Sequence, residues 1–220
     1  ISLNTDLEIS EEGVKGSVTY AKPYFNYSEN TLFTTVKSTS QDNLANFGYK
    51  VSTVGLSLGT KFEQYQNLFF SPEIDFTQED LTTNSNASTN LKKQEGAYSD
   101  LYFNYALDLD SRNSSFNPTK GNRTYFYQEL PLVSSDNEIS NTLVFTQYKA
   151  INESADMIGK VSFYFRSVNS INGSDVRISK RGQVPYGRLR GFQKGKVGPV
   201  ENDDYVGGNY VSAFNLSTNL

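Results

Sequence analysis

The chain has 220 residues, a net charge of −4 and only 20% charged side chains, with 15 Tyr and 15 Phe but one Met and no Trp. It contains no Cys, which excludes disulfides, thiolate metal sites and a cysteine nucleophile. It contains no His, which removes the usual general base and the commonest transition-metal ligand, so hydrolases of the Ser-His-Asp or Cys-His kind are excluded within it.

Period-two alternation dominates the chain. In the first segment Ile1, Leu3, Leu7 and Ile9 fall on one face, and Ser2, Asn4, Asp6 and Glu8 on the other. After Glu11-Glu12-Gly13, Val14, Val18 and Tyr20 alternate with Lys15, Ser17 and Thr19. Further segments follow at about 31–39, 47–62, 67–80, 97–110, 122–133, 138–151, 157–171 and 206–217, which predicts ten strands and no helix. The clearest are Leu101-Phe103-Tyr105-Leu107-Leu109 against Asn104-Asp108-Asp110, and Val161-Phe163-Phe165 against Ser162-Tyr164-Arg166.

Many alternating strands build either a soluble sandwich or a membrane barrel. Sandwich strands average five or six residues, whereas a strand that crosses a bilayer needs about 9–11. Most segments here are of the longer kind. Aromatic residues also gather near turns, as membrane barrels require at each interface: Tyr20, Tyr24, Phe25 and Tyr27 at one, Phe62, Tyr65, Phe69 and Phe70 at another. A mean hydropathy of −0.53 fits a wall whose inner face is polar. No apolar run is long enough for a transmembrane helix. The chain opens and closes in strand pattern with no visible signal peptide, as expected of an internal segment of a longer protein.

The connections alternate in length. The fifth (about 81–96) and ninth (172–205) are the longest and leave from the same end, the outer one in such barrels. Short turns fall near Asn26-Tyr27-Ser28, Glu63-Gln64-Tyr65 and Asn152-Glu153-Ser154. The fifth contains a polar low-complexity tract, Thr82–Ser88, expected to be mobile. The ninth is the unusual one. It carries Arg177, Lys180, Arg181, Arg188, Arg190, Lys194 and Lys196 with no acid from the first to the last, on an otherwise acidic chain. Loops this long are commonly functional when ordered, and its charge predicts that it lies against the scaffold. The acids take ordinary readings: Asp75, Glu79 and Asp80 as solvated lumen or rim groups, Asp108 and Asp110 as polar lumen wall.

Four stretches carry a resemblance. Within the ninth connection, Leu189-Arg190-Gly191-Phe192 resembles the (V/I)-R-G-(F/Y) signature of the outer-membrane β-barrel assembly superfamily of BamA/TamA type, the bacterial surface antigen family. Pro23-Tyr24-Phe25 looks like its N-P-Y-F turn. Asp110, Arg112, Pro118, Thr119 and Gly121 match its D-x-R…F-P-T-x-G turn. Gly207-Gly208-Asn209 resembles the G-G-N opening the strand after the loop.

The resemblance implies an all-β antiparallel transmembrane barrel, with residues 1–220 supplying about ten of sixteen meandering strands, open in this segment. POTRA domains and the terminal barrel strands would lie outside it. It implies that the loop at about 172–205 folds into the lumen and that Arg190 engages an acid, in the family a residue on a later strand. Asp108 or Asp110 could serve instead. Ser217 stands where relatives often have a glutamate.

The implied activity is folding and insertion of β-barrel precursors into the outer membrane of a Gram-negative bacterium, with no covalent chemistry, catalytic residue, metal or cofactor. The implied partners are nascent outer-membrane proteins, assembly lipoproteins reached through POTRA domains, the lipid bilayer and lipopolysaccharide. Nucleic acid is not among them. A two-partner secretion pore of the same superfamily and a passive porin are the alternative readings, and a soluble carbohydrate-binding module a further one.

Overall fold

The computed structural model describes residues 1–10, 13–154, 156–193 and 195–218, with the side chain of Asn46 left out. Glu11, Glu12, the basic residue Lys194 and the final Leu220 therefore lie outside the described residues.

Alternation along the chain becomes one antiparallel sheet of ten strands. They are β1 (Ser2–Ser10), β2 (Gly13–Lys22), β3 (Thr31–Asn43), β4 (Tyr49–Tyr65), β5 (Leu68–Thr83), β6 (Gly96–Asp110), β7 (Lys120–Val133), β8 (Glu138–Ala150), β9 (Ile158–Ser170) and, after a hairpin of β10 (Val200–Glu201) and β11 (Asp204–Tyr205), β12 (Tyr210–Thr218). Each strand pairs with its sequence neighbour, so the order is a plain meander. The sheet is open: β1 and β12 are its two edges.

Pairing aligns side chains of like character. Phe163 lies opposite Phe145 on β8 and Phe214 on β12, while Ser162 lies opposite Thr146 and Asn215. Across β5 and β6, Phe70, Ile74 and Phe76 meet Leu107, Phe103 and Leu101 on one face. On the other, Asp75 and Thr77 meet Tyr102 and Asp100. The long loop packs against this second face, which we call inner. The outer face carries a run of rings in edge or tilted contact, Phe62–Phe70–Tyr105–Phe126, with centroids 5.6–6.1 Å apart. Phe69 departs from the expected girdle. It shares the inner face with Asp108 and lies under the Lys61 ammonium, 4.8 Å from its ring centroid.

Three sequence expectations shift. The turn after β4 is at Gln66–Asn67, not Glu63–Tyr65, because Asn67 takes the left-handed conformation (φ 62°) that a tight hairpin needs. Its amide donates to Glu63, beside an irregularity in register. Two single-turn helices also form, α1 (Leu44–Phe47) and α2 (Thr89–Lys92), where no helix was expected. The second is capped by Ser88, whose Oγ accepts from Leu91 N and donates to Glu201. The expected mobile tract is thus packed down: Ala87 and Leu91 join Phe47, Tyr49, Val51, Leu81, Ile178 and Val206 in a small core. That core gathers the third, fifth and ninth connections at the end we call upper.

Candidate functional site

The ninth connection leaves β9 at Ser170 and first descends beside the upper inner wall, where Val176, Arg177 and Ile178 are buried. Arg177 is 1% exposed, as enclosed as its partner Asp100. Its guanidinium donates to Asp136 Oδ2 (2.8 Å), Asp100 Oδ2 (3.0 Å) and Glu79 Oε1 (3.3 Å). Its backbone amide donates to Glu138 Oε1, and its guanidinium carbon stacks 3.7 Å from the Tyr98 ring centroid. Burial alone would lower its pKa; hydrogen bonds to Asp100 and Asp136 and the charges of Glu79 and Asp100 reverse this, and the net shift is upward. Breaking a buried pair of this kind costs about 3–5 kcal/mol, because the partner charges are stranded. Two neighbours continue the attachment: Ile178 N donates to Gln94 Oε1, and Ser179 Oγ to Glu79 Oε1.

Next the loop closes on itself. Gly182 and Gly208 exchange both backbone hydrogen bonds, at 2.8 and 2.9 Å. Gly207 sits beside this bridge at φ 68°, where a Cβ would lie 2.9 Å from Gly182 O, so a side chain is excluded there. Asn209 O accepts from Val168 N. The Gly207-Gly208-Asn209 stretch is therefore the loop's return clamp, with β12 beginning only at Tyr210.

Beyond the clamp the chain reaches the lower inner wall. Arg188 donates to Ser162 Oγ (3.1 Å), lies 4.9 Å over the Tyr164 ring, and accepts at its carbonyl from Asn215 Nδ2 (2.6 Å). Leu189, Arg190, Gly191 and Phe192 follow and are all exposed. Arg190 lines a trough of about 630 Å³ with Thr146, Lys160, Ser162, Arg188, Asn215 and Ser217. No described residue pairs with it. The acids named as its possible partners are already engaged: Asp108 by Arg123 at 2.7 Å, and Asp110 by Arg112 at 2.6 Å. They cannot serve Arg190 without losing bidentate geometry.

The other marked stretches are turns at the lower end. Asp110 takes both Nε and Nη2 of Arg112, and Asn113 Oδ1 accepts from the amides of Thr119 and Lys120. Pro118 lies in this turn and Gly121, the second residue of β7, sits at φ 96°, where a Cβ would stand 2.3 Å from Ser111 O. Pro23 leads into a tight turn in which Tyr24, Asn26 and Tyr27 take the left-handed conformation, with Tyr24 and Tyr27 projecting freely. These turns lie far along the strands from the Arg177 cluster, so the structure does not bring all four marked stretches into one site.

Two sequence readings are corrected. Asp75 and Glu79 are not solvated rim groups: each is 6% exposed, Asp75 paired with Lys37 at 2.7 Å and Glu79 with Arg177. Asp80 belongs to the outer-facing set of β5 and does not join them. The cluster itself was missed as a unit. Arg177 stood out only as one of seven cations, because strand register, not sequence proximity, assembles its acids.

One meandering ten-stranded sheet, with a long cationic loop and its small β10–β11 hairpin on the polar side, is a barrel wall with an internal loop. The model of the Omp85 superfamily domain matches residues 2–218. The chain belongs to the Omp85 superfamily, the outer-membrane β-barrel proteins of assembly and secretion. Among solved structures it is similar to BamA from Haemophilus ducreyi lacking POTRA domains 1–3, with a TM-score of 0.87 at 20% identity. The match covers 97% of this chain and 46% of that one, so the chain spans a little under half its length. No curated protein matches the sequence.

Proposed function

We propose that this chain is the wall and internal loop of an outer-membrane assembly factor that folds and inserts β-barrel precursors without covalent chemistry. The observation that carries the reading is the placement of the Arg-Gly-Phe loop. It runs along the inner wall from the Arg177 cluster to the trough at Ser162 and Asn215, the course that the family resemblance implies for this loop. The family provides the activity: a barrel with a weakly closed seam offers unpaired strand-edge groups, and these template an incoming strand. Nascent outer-membrane proteins are then the substrates, the bilayer and lipopolysaccharide the surroundings, and lipoproteins bound through POTRA domains the helpers.

The intact protein, reconstituted in liposomes, should accelerate folding of a urea-denatured small outer-membrane barrel over protein-free liposomes. A secretion pore would instead carry an extended polypeptide into the vesicle interior without inserting it. Steady ion conductance with neither activity would indicate a porin and defeat the proposal.

A further inference from the structure

We infer that Arg177 is the positioning residue of the long loop: it pins the root to the upper wall, while the tip that carries Arg190 is a separately releasable element. Two observations divide the loop. The root is enclosed, with Val176, Arg177 and Ile178 at 1–3% exposure, and it is tied to four elements at once. Glu79 comes from β5, Asp100 from β6, Asp136 from the β7–β8 connection and Glu138 from β8. A planar guanidinium with five fixed donors can satisfy such a ring of acids where an ammonium cannot. The tip is the opposite case. From Tyr186 to Phe192 every residue but Arg188 is exposed, and the described polar contacts from this stretch to the wall all run through Arg188.

The Gly182–Gly208 bridge marks the boundary, since it closes the loop between root and tip with paired backbone hydrogen bonds. The root therefore holds its place without help from the Arg-Gly-Phe tetrad. The tip can leave the trough by giving up Arg188's few contacts with uncharged partners, Ser162, Tyr164 and Asn215, each far weaker than the buried ion pairs above it. Local opening should begin at the tip and stop at the bridge on the outgoing limb and at Gly195, packed against Phe47, on the returning one. This concerns loop position alone and rests on the assembly reading only for its consequence, not for its test.

The test uses the absence of cysteine from the chain. Single substitutions Ile178→Cys (root), Leu189→Cys (tip) and Val144→Cys (wall control) are introduced into the intact protein in lipid, and the rate of reaction with a small maleimide is measured. The root should react about a hundredfold more slowly than the tip, in keeping with the ion pairs that must open first. Adding Arg177→Met should abolish most of that difference, Arg177→Lys should restore part of it, and Val144→Cys should be unaffected. Equal root and tip rates in the protein that keeps Arg177 would overturn the inference. So would an Arg177→Met effect that appears equally at Val144, which would mark general destabilisation instead of loop positioning. If Arg177→Met does not fold, the comparison of the two sites with Arg177 in place, and the Arg177→Lys variant, decide the matter. The readout does not depend on assembly activity, so its failure is distinct from failure of the proposed function.

Discussion

Arginine in place of Phe163 should lower the stability of the folded barrel by about 2–4 kcal/mol, whereas Ser17→Arg should change it little. Phe163 sits in the middle of an outer-facing aromatic row with Phe145 and Phe214, four residues or more from either end of its strand. A charge there has no water and no acid within reach, and mid-strand position leaves a long side chain little room to reach an interface. Ser17 faces inward, opposite Asp6 on one side and Lys37 on the other. It lines an open trough with Asp6 and Glu8, so an added guanidinium there finds both solvent and carboxylates. Urea unfolding of the intact protein in lipid vesicles gives the comparison. Equal tolerance at the two positions would mean that the faces are assigned the wrong way round.

The second large effect concerns Arg190. Arg190→Ala should slow precursor folding by the intact protein about tenfold, the scale of one charge-assisted contact. Arg190→Lys should recover only part, since an ammonium cannot bind a carboxylate through two parallel donors. Arg190 lines a trough shared with Lys160 and Arg188, and no acid lines that trough. Three cations together favour an anionic occupant, and the trough is bordered by Phe214–Ser217 of the edge strand β12, where one could enter. We place its acid beyond the described residues. If Arg190 merely met lipopolysaccharide phosphates at the surface, it and Lys194 would be interchangeable, and alanine at either would leave folding unimpaired. The single-cycle folding rate on liposomes of defined composition separates the two.

Much of the architecture was legible because period-two alternation reports a half-buried strand directly. Leu101 to Leu109 and Val161 to Phe165 could be assigned to one face from spacing alone, and pairing places them there. Strand ends were less legible. The Asn67 hairpin was displaced because Glu63, Tyr65 and Asn67 are all acceptable turn neighbours, and only the left-handed backbone at Asn67 decides among them. The polar tract and the α2 turn that follows it concealed two buried apolar side chains, Ala87 and Leu91, whose burial depends on loops far away in sequence.

The loop shows the same division. Its charge and the Arg-Gly-Phe tetrad were visible as letters, and the acidic remainder of the chain pointed to an electrostatic destination. Which cation would be buried was not visible. Arg177 and Arg190 are chemically identical, and they differ only in what strand register sets beside them: Glu79, Asp100 and Asp136 for one, open trough for the other. The acids at 108 and 110 were plausible partners by composition, yet Arg123 and Arg112 reach them first along the same wall.

The placement of the loop along the inner wall is the claim on which the rest depends, and a disulfide tests it most directly. Arg188 and Asn215 lie within hydrogen-bond distance, carbonyl to side-chain amide at 2.6 Å. With Arg188→Cys and Asn215→Cys combined in the intact protein, in its native membrane, mild oxidation should form a cross-link between residues 188 and 215 that the single variants lack. Failure to cross-link, together with rapid reaction of Arg188→Cys with a membrane-impermeant maleimide added from outside the cell, would put the loop on the outer surface and contradict the account.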